Sequence, residues 1–175
     1  MIEWEYKFKL LKSYEVALEQ FRRDFGEPLV EHQVDIYYQH PSRDFAKTDE
    51  ALRLRSVNGV TELTYKGPKI SRQSKSREEL TVKVNDLTTA DLILKRLGFV
   101  EVARIEKTRY NFRHNNFVIS VDTVKDVGDF VEVEGLNASE KDLLDYVNWL
   151  KSKYDFLGEG VTKSYLELYL ERRVK

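Results

Sequence analysis

Hydrophobic and charged residues alternate over the first ten residues of the chain. A period of two is typical of a β-strand, because successive side chains point to opposite faces of a sheet. One face of this strand is therefore predicted to be apolar and aromatic, and the other charged. The aromatic face carries Trp4, Tyr6, Phe8 and Leu10, and the charged face carries Glu3, Glu5, Lys7 and Lys9.

The same reasoning predicts seven more strands and four helices along the chain. Asn58-Gly59 is a strong signal for a tight hairpin between two of the strands. Residues 67–76 form a basic segment without apolar periodicity, containing Lys69, Arg72 and Lys75, and are expected to be a mobile loop. The further strands are predicted at 34–39, 51–57, 61–66, 77–84, 102–112, 117–124 and 130–134, and the helices at 13–25, 89–97, 139–153 and 164–173.

Several strands repeat a single sign of charge on one face, as in Arg53/Arg55 and Glu132/Glu134. An antiparallel sheet with one solvated face would also give alternation. However, like charges two residues apart on one strand face repel each other, and the opposite faces are apolar enough to need cover. We therefore predict a mainly antiparallel β (α+β) fold, a closed eight-stranded tunnel barrel whose charged face points inward and whose apolar face is clad by a few helices.

Composition narrows the class of protein. The net charge of −1 argues against a nucleic-acid partner, which would demand a strongly basic surface. The absence of cysteine excludes disulfides and thiolate-bound zinc. No apolar run is long enough to span a membrane and the N-terminus is a charged strand, so we expect a single domain over residues 1–175, no membrane partner and a cytoplasmic location.

The predicted barrel interior carries more basic than acidic residues, with an excess of two. Divalent cations such as Mg²⁺ prefer carboxylate and phosphate oxygens, while guanidinium groups match phosphate geometry. The sequence contains no Gly-rich phosphate loop, so side chains would have to hold the anion. This pattern indicates a triphosphate bound with divalent metal. The acidic residues are Glu3, Glu5, Asp122, Glu132 and Glu134, and the basic ones are Lys7, Arg53, Arg55, Lys66, Arg77, Lys107 and Arg109.

The chain resembles the CYTH superfamily, also called the triphosphate tunnel metalloenzymes. The Glu-x-Glu-x-Lys motif that defines this family stands here as Glu3-Trp4-Glu5-Tyr6-Lys7. The resemblance covers essentially the whole chain and is specific because the motifs occur as an ordered set. It continues through residues 51–55, 63–68, 76–79 and 107–109, Asp122, residues 132–134 and 163–168.

The resemblance implies roles for individual residues. Glu3, Glu5, Asp122, Glu132 and Glu134 would bind the metal, Mg²⁺ or Mn²⁺. Lys7, Arg53, Arg55, Lys66, Lys107 and Arg109 would bind the triphosphate. Arg77, Glu79 and Lys163 are further candidates, with a structural ion pair as the alternative for Arg77 and Lys163.

Chain length and the stretches at 63–68 and 76–79 resemble the class IV adenylate cyclase branch most. That activity would convert ATP to cyclic AMP and pyrophosphate. Hydrolysis of thiamine triphosphate or tripolyphosphate, and a non-catalytic module that binds polyphosphate or nucleotide, remain alternatives. The expected partner is a nucleoside triphosphate or another triphosphate, and the sequence leaves a homodimer open.

Overall fold

The computed structural model describes residues 2–74 and 76–174, and Lys75 of the basic loop lies outside them. In this part of the chain there are nine strands and five helices. In chain order they are β1 (Ile2–Leu10), α1 (Tyr14–Phe25), β2 (Leu29–Gln39), α2 (Phe45–Thr48), β3 (Ala51–Val57), β4 (Val60–Lys66), β5 (Arg77–Val84), α3 (Leu87–Arg96), β6 (Val100–His114), β7 (Phe117–Val124), β8 (Gly128–Gly135), α4 (Glu140–Lys153), β9 (Leu157–Gly160) and α5 (Tyr165–Val174).

The strands form a closed antiparallel barrel, as the sequence predicted. Going round the barrel, the order is β1, β5, β4, β3, β2, β6, β7, β8 and back to β1. The ring closes where Ile2 lies opposite Glu78 and Glu3 opposite Arg77. The ninth strand, β9, pairs with the second half of β1 through Phe8 and Leu10. The barrel proper therefore has eight strands, and β9 is an addition to it.

Local sequence signals explain the turns and helix ends. Asn58 and Gly59 both have positive φ, +48° and +83°, as a tight primed hairpin turn requires, and this confirms the predicted hairpin. The fourth helix, α4, begins with a capping box in which Ser139 and Asp142 exchange side-chain and backbone hydrogen bonds. None of the helices in the described residues is long and apolar enough to cross a membrane.

Helices cover much of the apolar outer face of the barrel, which confirms the predicted orientation of the strands, although Leu80 and Val82 of β5 are exposed. Phe8 and Val133 of the barrel pack with Phe21 of α1 and Leu150 of α4 in the largest core cluster. A second cluster places α3 over β2 and β3, with Leu94 as the buried helix residue. The opposite, charged faces of the strands consequently point into the barrel.

The predicted boundaries differ from the structure mainly where polar residues interrupt the alternation. The second strand, β2, begins at Leu29 because it pairs with β6 along its whole length, although Glu31, His32 and Gln33 obscure the pattern. The short α2 and β9 were not predicted. The basic loop is anchored, since Ile70 donates a backbone hydrogen bond to Ser76 and Lys69 pairs with Asp49.

Candidate active site in the barrel

The barrel interior encloses a cavity of about 230 Å³ with an ionic lining. We call it the central cavity. Six acidic and six basic residues line it, so the excess of two positive charges expected from the sequence is absent. The lining residues are Glu3, Glu5, Arg53, Arg55, Glu62, Lys66, Arg77, Glu79, Lys107, Arg109, Glu132 and Glu134, with Tyr37, Ala51, Ser164, Tyr165 and Leu166 completing it.

Four carboxylates from two neighbouring strands form an acidic wall: Glu3 and Glu5 of β1, and Glu132 and Glu134 of β8. Glu5 and Glu134 are direct cross-strand partners. Burial raises the pKa of Glu134 to about 8, assisted by the charge of Glu3 and a hydrogen bond to it. Burial and the charge of Glu5 likewise raise the pKa of Glu3. Without a cation, this wall therefore holds a proton at neutral pH.

The facing strands carry a basic wall made of Arg53 and Arg55 from β3 and Lys107 and Arg109 from β6. Burial and the charges of Arg109 and Arg55 lower the pKa of Lys107 well below its usual value. The Nε atom of Arg53 is buried without a hydrogen-bond partner in the described part of the chain. Repulsion between these cations and the unsatisfied N–H group of Arg53 both cost free energy. A bound anion would reduce the repulsion and could accept a hydrogen bond from Arg53.

Asp35, which was not among the site residues predicted from the sequence, supports the basic wall. Its two carboxylate oxygens accept from Nε and Nη2 of Arg55 at 2.6 and 2.8 Å, and Lys107 Nζ lies 4.0 Å away. Burial alone would raise the pKa of Asp35, but the Arg55 guanidinium outweighs it and holds this pKa below its ordinary value. An isolated Asp in the alternating run 33–37 was the only signal in the sequence.

The further candidates Arg77 and Glu79 lie in the central cavity. Arg77 is buried, and its Nη2 lies 3.4 Å from Asp49 Oδ1. Glu79 faces Lys66 across the β4–β5 ladder, with 3.4 Å between Lys66 Nζ and Glu79 Oε2. Both residues thus combine a structural ion pair with a position on the cavity wall.

Three candidates stand outside the lining. Lys163 is exposed, and its ammonium pairs with Glu171, so its side chain does not join the central cavity. Lys7 and Asp122 are buried behind the lining. Lys7 Nζ donates to the backbone oxygen of Lys163 at 2.7 Å. Asp122 accepts from Nε and Nη2 of Arg109, each at 2.7 Å.

The acidic wall has the chemistry of a divalent-metal site. Its oxygen donors are those that Mg²⁺ and Mn²⁺ prefer, and a cation would relieve the repulsion between Glu5 and Glu134. Within the described residues, no three carboxylate or imidazole groups are already arranged as a complete metal site. Mg²⁺ is commonly held by one or two carboxylates together with substrate phosphates, so this arrangement fits a metal that arrives with the anion.

A second, larger pocket opens beside the central cavity and shares Ala51, Arg77, Ser164 and Leu166 with it. We call it the side pocket. Its volume is about 770 Å³, and Phe45 of α2 together with Leu170 of α5 contribute apolar walls. Because the two spaces adjoin, a molecule with an ionic end and an apolar end could occupy both.

The structure is thus a closed antiparallel barrel in which an acidic wall faces a basic wall. The model of the CYTH domain matches residues 1–165, and the chain belongs to the CYTH domain family.

Relatives and solved structures cover nearly the whole chain. A Methanocaldococcus jannaschii protein named "Putative adenylate cyclase MJ0240" is 38% identical over 172 residues, 96% of this chain and 98% of the relative. The structure of the PH1819 protein from Pyrococcus horikoshii matches with a TM-score of 0.85 at 38% identity, covering 98% of this chain and 99% of that one.

More distant matches extend the comparison. Adenylate cyclase CyaB of Aeromonas hydrophila is 25% identical over 161 residues, covering 90% of this chain and 80% of the relative. The structure of HpAC1 from Hippeastrum shares the fold with a TM-score of 0.77 at 15% identity, covering 97% of this chain and 95% of that one.

Proposed function

We propose that this protein is a divalent-metal-dependent enzyme that binds a triphosphate in the central cavity, and that its reaction is the conversion of ATP to cyclic AMP and pyrophosphate. The observation that carries the proposal is the separation of charge inside the barrel, where an acidic wall on β1 and β8 faces a basic wall on β3 and β6. A net-neutral interior of this kind suits a polyanion that arrives together with cations.

The basic wall would hold the phosphates. Arg53, Arg55 and Arg109 present guanidinium forks, which match phosphate oxygens in geometry. Burial and the neighbouring guanidinium groups lower the pKa of Lys107, and a phosphate beside it would favour the charged ammonium. Developing charge on the phosphate oxygens would therefore meet preorganised donors, which is the largest single contribution in many enzymes.

The acidic wall would hold Mg²⁺ or Mn²⁺. Glu3, Glu5, Glu132 and Glu134 are the residues that would contribute oxygen ligands, with Asp122 close behind them. When bound, the metal would supply charge neutralisation on the triphosphate and favour ionisation of the attacking hydroxyl. In the cyclase reaction the ribose 3′-hydroxyl loses its proton to solvent and its oxygen forms a bond to the α-phosphorus. The bond from that phosphorus to the bridging oxygen breaks, and pyrophosphate leaves with the bonding electrons.

The side pocket supports a nucleotide rather than a bare tripolyphosphate as the substrate. It adjoins the central cavity and offers apolar surface from Phe45 and Leu170, which suits a base and not a phosphate. The names of the relatives from Methanocaldococcus jannaschii and Aeromonas hydrophila agree with a cyclase. Hydrolysis is the second candidate, because HpAC1, which has the same fold, is described as having a dominant triphosphatase activity.

Product analysis tests the proposal. The protein is incubated with ATP, thiamine triphosphate or tripolyphosphate, each with Mg²⁺ or Mn²⁺, and the products are resolved by chromatography. Cyclic AMP plus pyrophosphate supports the cyclase, whereas orthophosphate supports hydrolysis. Triphosphate binding by calorimetry without any product would indicate a non-catalytic module.

A matched pair of variants links any activity to the central cavity. Glu5→Gln removes a buried carboxylate from the acidic wall, while Glu19→Gln makes the same change on the exposed face of α1. We expect loss of activity in the first variant only. Full activity of Glu5→Gln would contradict the placement of the reaction in the barrel.

A further inference from the structure

Tyr165, the first residue of α5, enters the barrel from one end. It is buried and packs against Phe130 of β8, with the two ring centroids 5.2 Å apart. Around it, Ile105, Val124 and Val127 belong to the same apolar cluster. Tyr165 also lines the central cavity, so it stands at the boundary between this apolar cluster and the ionic lining.

The polar and aromatic parts of Tyr165 contact three of the candidate site residues. Its hydroxyl donates to Asp122 Oδ2 at 2.5 Å, on the carboxylate that Arg109 already engages. Its ring lies 3.9 Å from Lys7 Nζ and 4.9 Å from Lys107 Nζ, measured to the ring centroid. Both distances are within the range of a cation–π contact. One side chain thus connects charged residues from β1, β6 and β7.

We propose that Tyr165 is a positioning residue for the triphosphate site, which acts through its hydroxyl on Asp122 and through its ring on Lys7 and Lys107. The proposal rests on the function proposed above. The hydroxyl fixes the Asp122 carboxylate and, through it, the Arg109 guanidinium that reaches the cavity. The ring lies against both ammonium groups and would thereby fix where they can meet the phosphates.

Two substitutions separate these contributions. Tyr165→Phe keeps the ring and its packing but removes the hydrogen bond to Asp122. Tyr165→Leu removes the ring as well. Tyr169, one turn further along α5, is partly buried and does not line the central cavity, so Tyr169→Phe is the matched control for loss of a tyrosine hydroxyl from this helix.

Steady-state kinetics with the preferred triphosphate provides the readout. Because a hydrogen bond to a charged group is lost, Tyr165→Phe should lower kcat by roughly tenfold or more while KM changes by less than about threefold. Tyr165→Leu should in addition raise KM by roughly tenfold, since two cation–π contacts disappear. Tyr169→Phe should match the wild type. Circular dichroism and thermal unfolding establish that each variant is folded.

A double-mutant cycle shows whether the tyrosine acts through Asp122. If it does, Tyr165→Phe combined with Asp122→Asn should be hardly slower than Asp122→Asn alone. Independent, multiplying effects would overturn the proposal. A Tyr165→Phe enzyme that loses thermal stability but keeps its kcat and KM would also overturn the proposal. The same holds for a Tyr165→Phe enzyme with a higher kcat and a lower metal requirement, because this would mean that the hydroxyl competes with the metal for Asp122.

Failure of the proposed function is distinguishable from failure of this inference. If the wild type forms no product, calorimetric binding of tripolyphosphate with Mg²⁺ replaces kinetics as the readout, and Tyr165→Leu should bind roughly tenfold more weakly. Equal binding by the variant would overturn the role of Tyr165. A wild-type protein that neither binds nor converts a triphosphate would refute both the proposed function and the inference that rests on it.

Discussion

Replacing Arg55 by alanine should destabilise the protein strongly, because it leaves Asp35 buried without its main partner. Asp35 is 1% exposed, and Arg55 engages both of its oxygens. Breaking a buried ion pair by removing one partner costs about 3–5 kcal/mol. Lys107, 4.0 Å from the same carboxylate, compensates in part, so we expect the lower end, about 3 kcal/mol.

The loss should depend on pH in a defined direction. In the wild type the pKa of Asp35 is held below its ordinary value, so its favourable contribution is present above the unfolded-state pKa and disappears in strong acid. In Arg55→Ala, the guanidinium no longer offsets the effect of burial, so the pKa of Asp35 rises. The carboxylate then protonates in the folded variant as the pH falls, so the deficit relative to wild type should shrink towards acid.

Denaturant unfolding near neutral pH and at about pH 5 measures both effects. For a chain of this length, about 3 kcal/mol corresponds to a drop in Tm on the order of 10 °C. Arg104→Ala is the control, because Arg104 makes a comparable fork to Glu101 at an exposed site and should cost less than about 1 kcal/mol.

Three results would refute this reasoning. The first is an Arg55→Ala variant no less stable than Arg104→Ala, and the second is a deficit that stays constant between the two pH values. The third concerns the double variant Asp35→Ala/Arg55→Ala, which should recover part of the loss because no uncompensated charge remains. Strictly additive losses would show that the pair is not coupled.

Further predictions concern other parts of the site. Since the pKa of Glu134 is raised to about 8, the metal-free protein should lose stability as the pH rises towards that value. Thermal unfolding in the presence of a chelator should show a flatter pH dependence of Tm for Glu134→Gln than for the wild type. Equal slopes would contradict the protonation of Glu134 at neutral pH. Lys66→Ala should lower kcat/KM by at least roughly tenfold, whereas Lys163→Ala should keep it, because the Lys163 ammonium pairs with Glu171 outside the cavity. Leu170→Asp should raise KM for ATP but not for tripolyphosphate, and equal changes would remove the side pocket from nucleotide binding.

The features that follow from local periodicity could be predicted from the sequence. The alternation from Glu3 to Leu10 fixes which face of β1 is charged, and the Asn58-Gly59 pair determines a turn whose backbone few other residues adopt. Repeated charges such as Arg53/Arg55 indicate an inward face because the opposite face of the strand is apolar and needs cover, and because strands of opposite charge can compensate them inside the barrel. These signals suffice for the barrel and for most of the cavity lining.

The remaining features depend on which elements meet in space. Asp35 is the single aspartate in β2, and only the β2–β3 register shows that it supports Arg55. Tyr165 comes from the last helix and reaches Asp122, 43 residues away in sequence. Lys163 is two residues before Tyr165, yet its side chain lies outside the barrel. Neither spacing nor residue type distinguishes these cases without the tertiary structure.

The closure of the ring has a consequence for how ligand and fold depend on each other. Among the described residues, β1 meets β5 at two positions only, while its other edge meets β8 at six. Glu3 belongs to the short contact and to the acidic wall at once. A ligand that bridges Glu3 and the opposite wall would bind only the closed ring. By mass action, its binding would then stabilise the β1–β5 pairing against opening. Amide exchange at Arg77 and Glu78 would therefore report occupancy of the barrel directly.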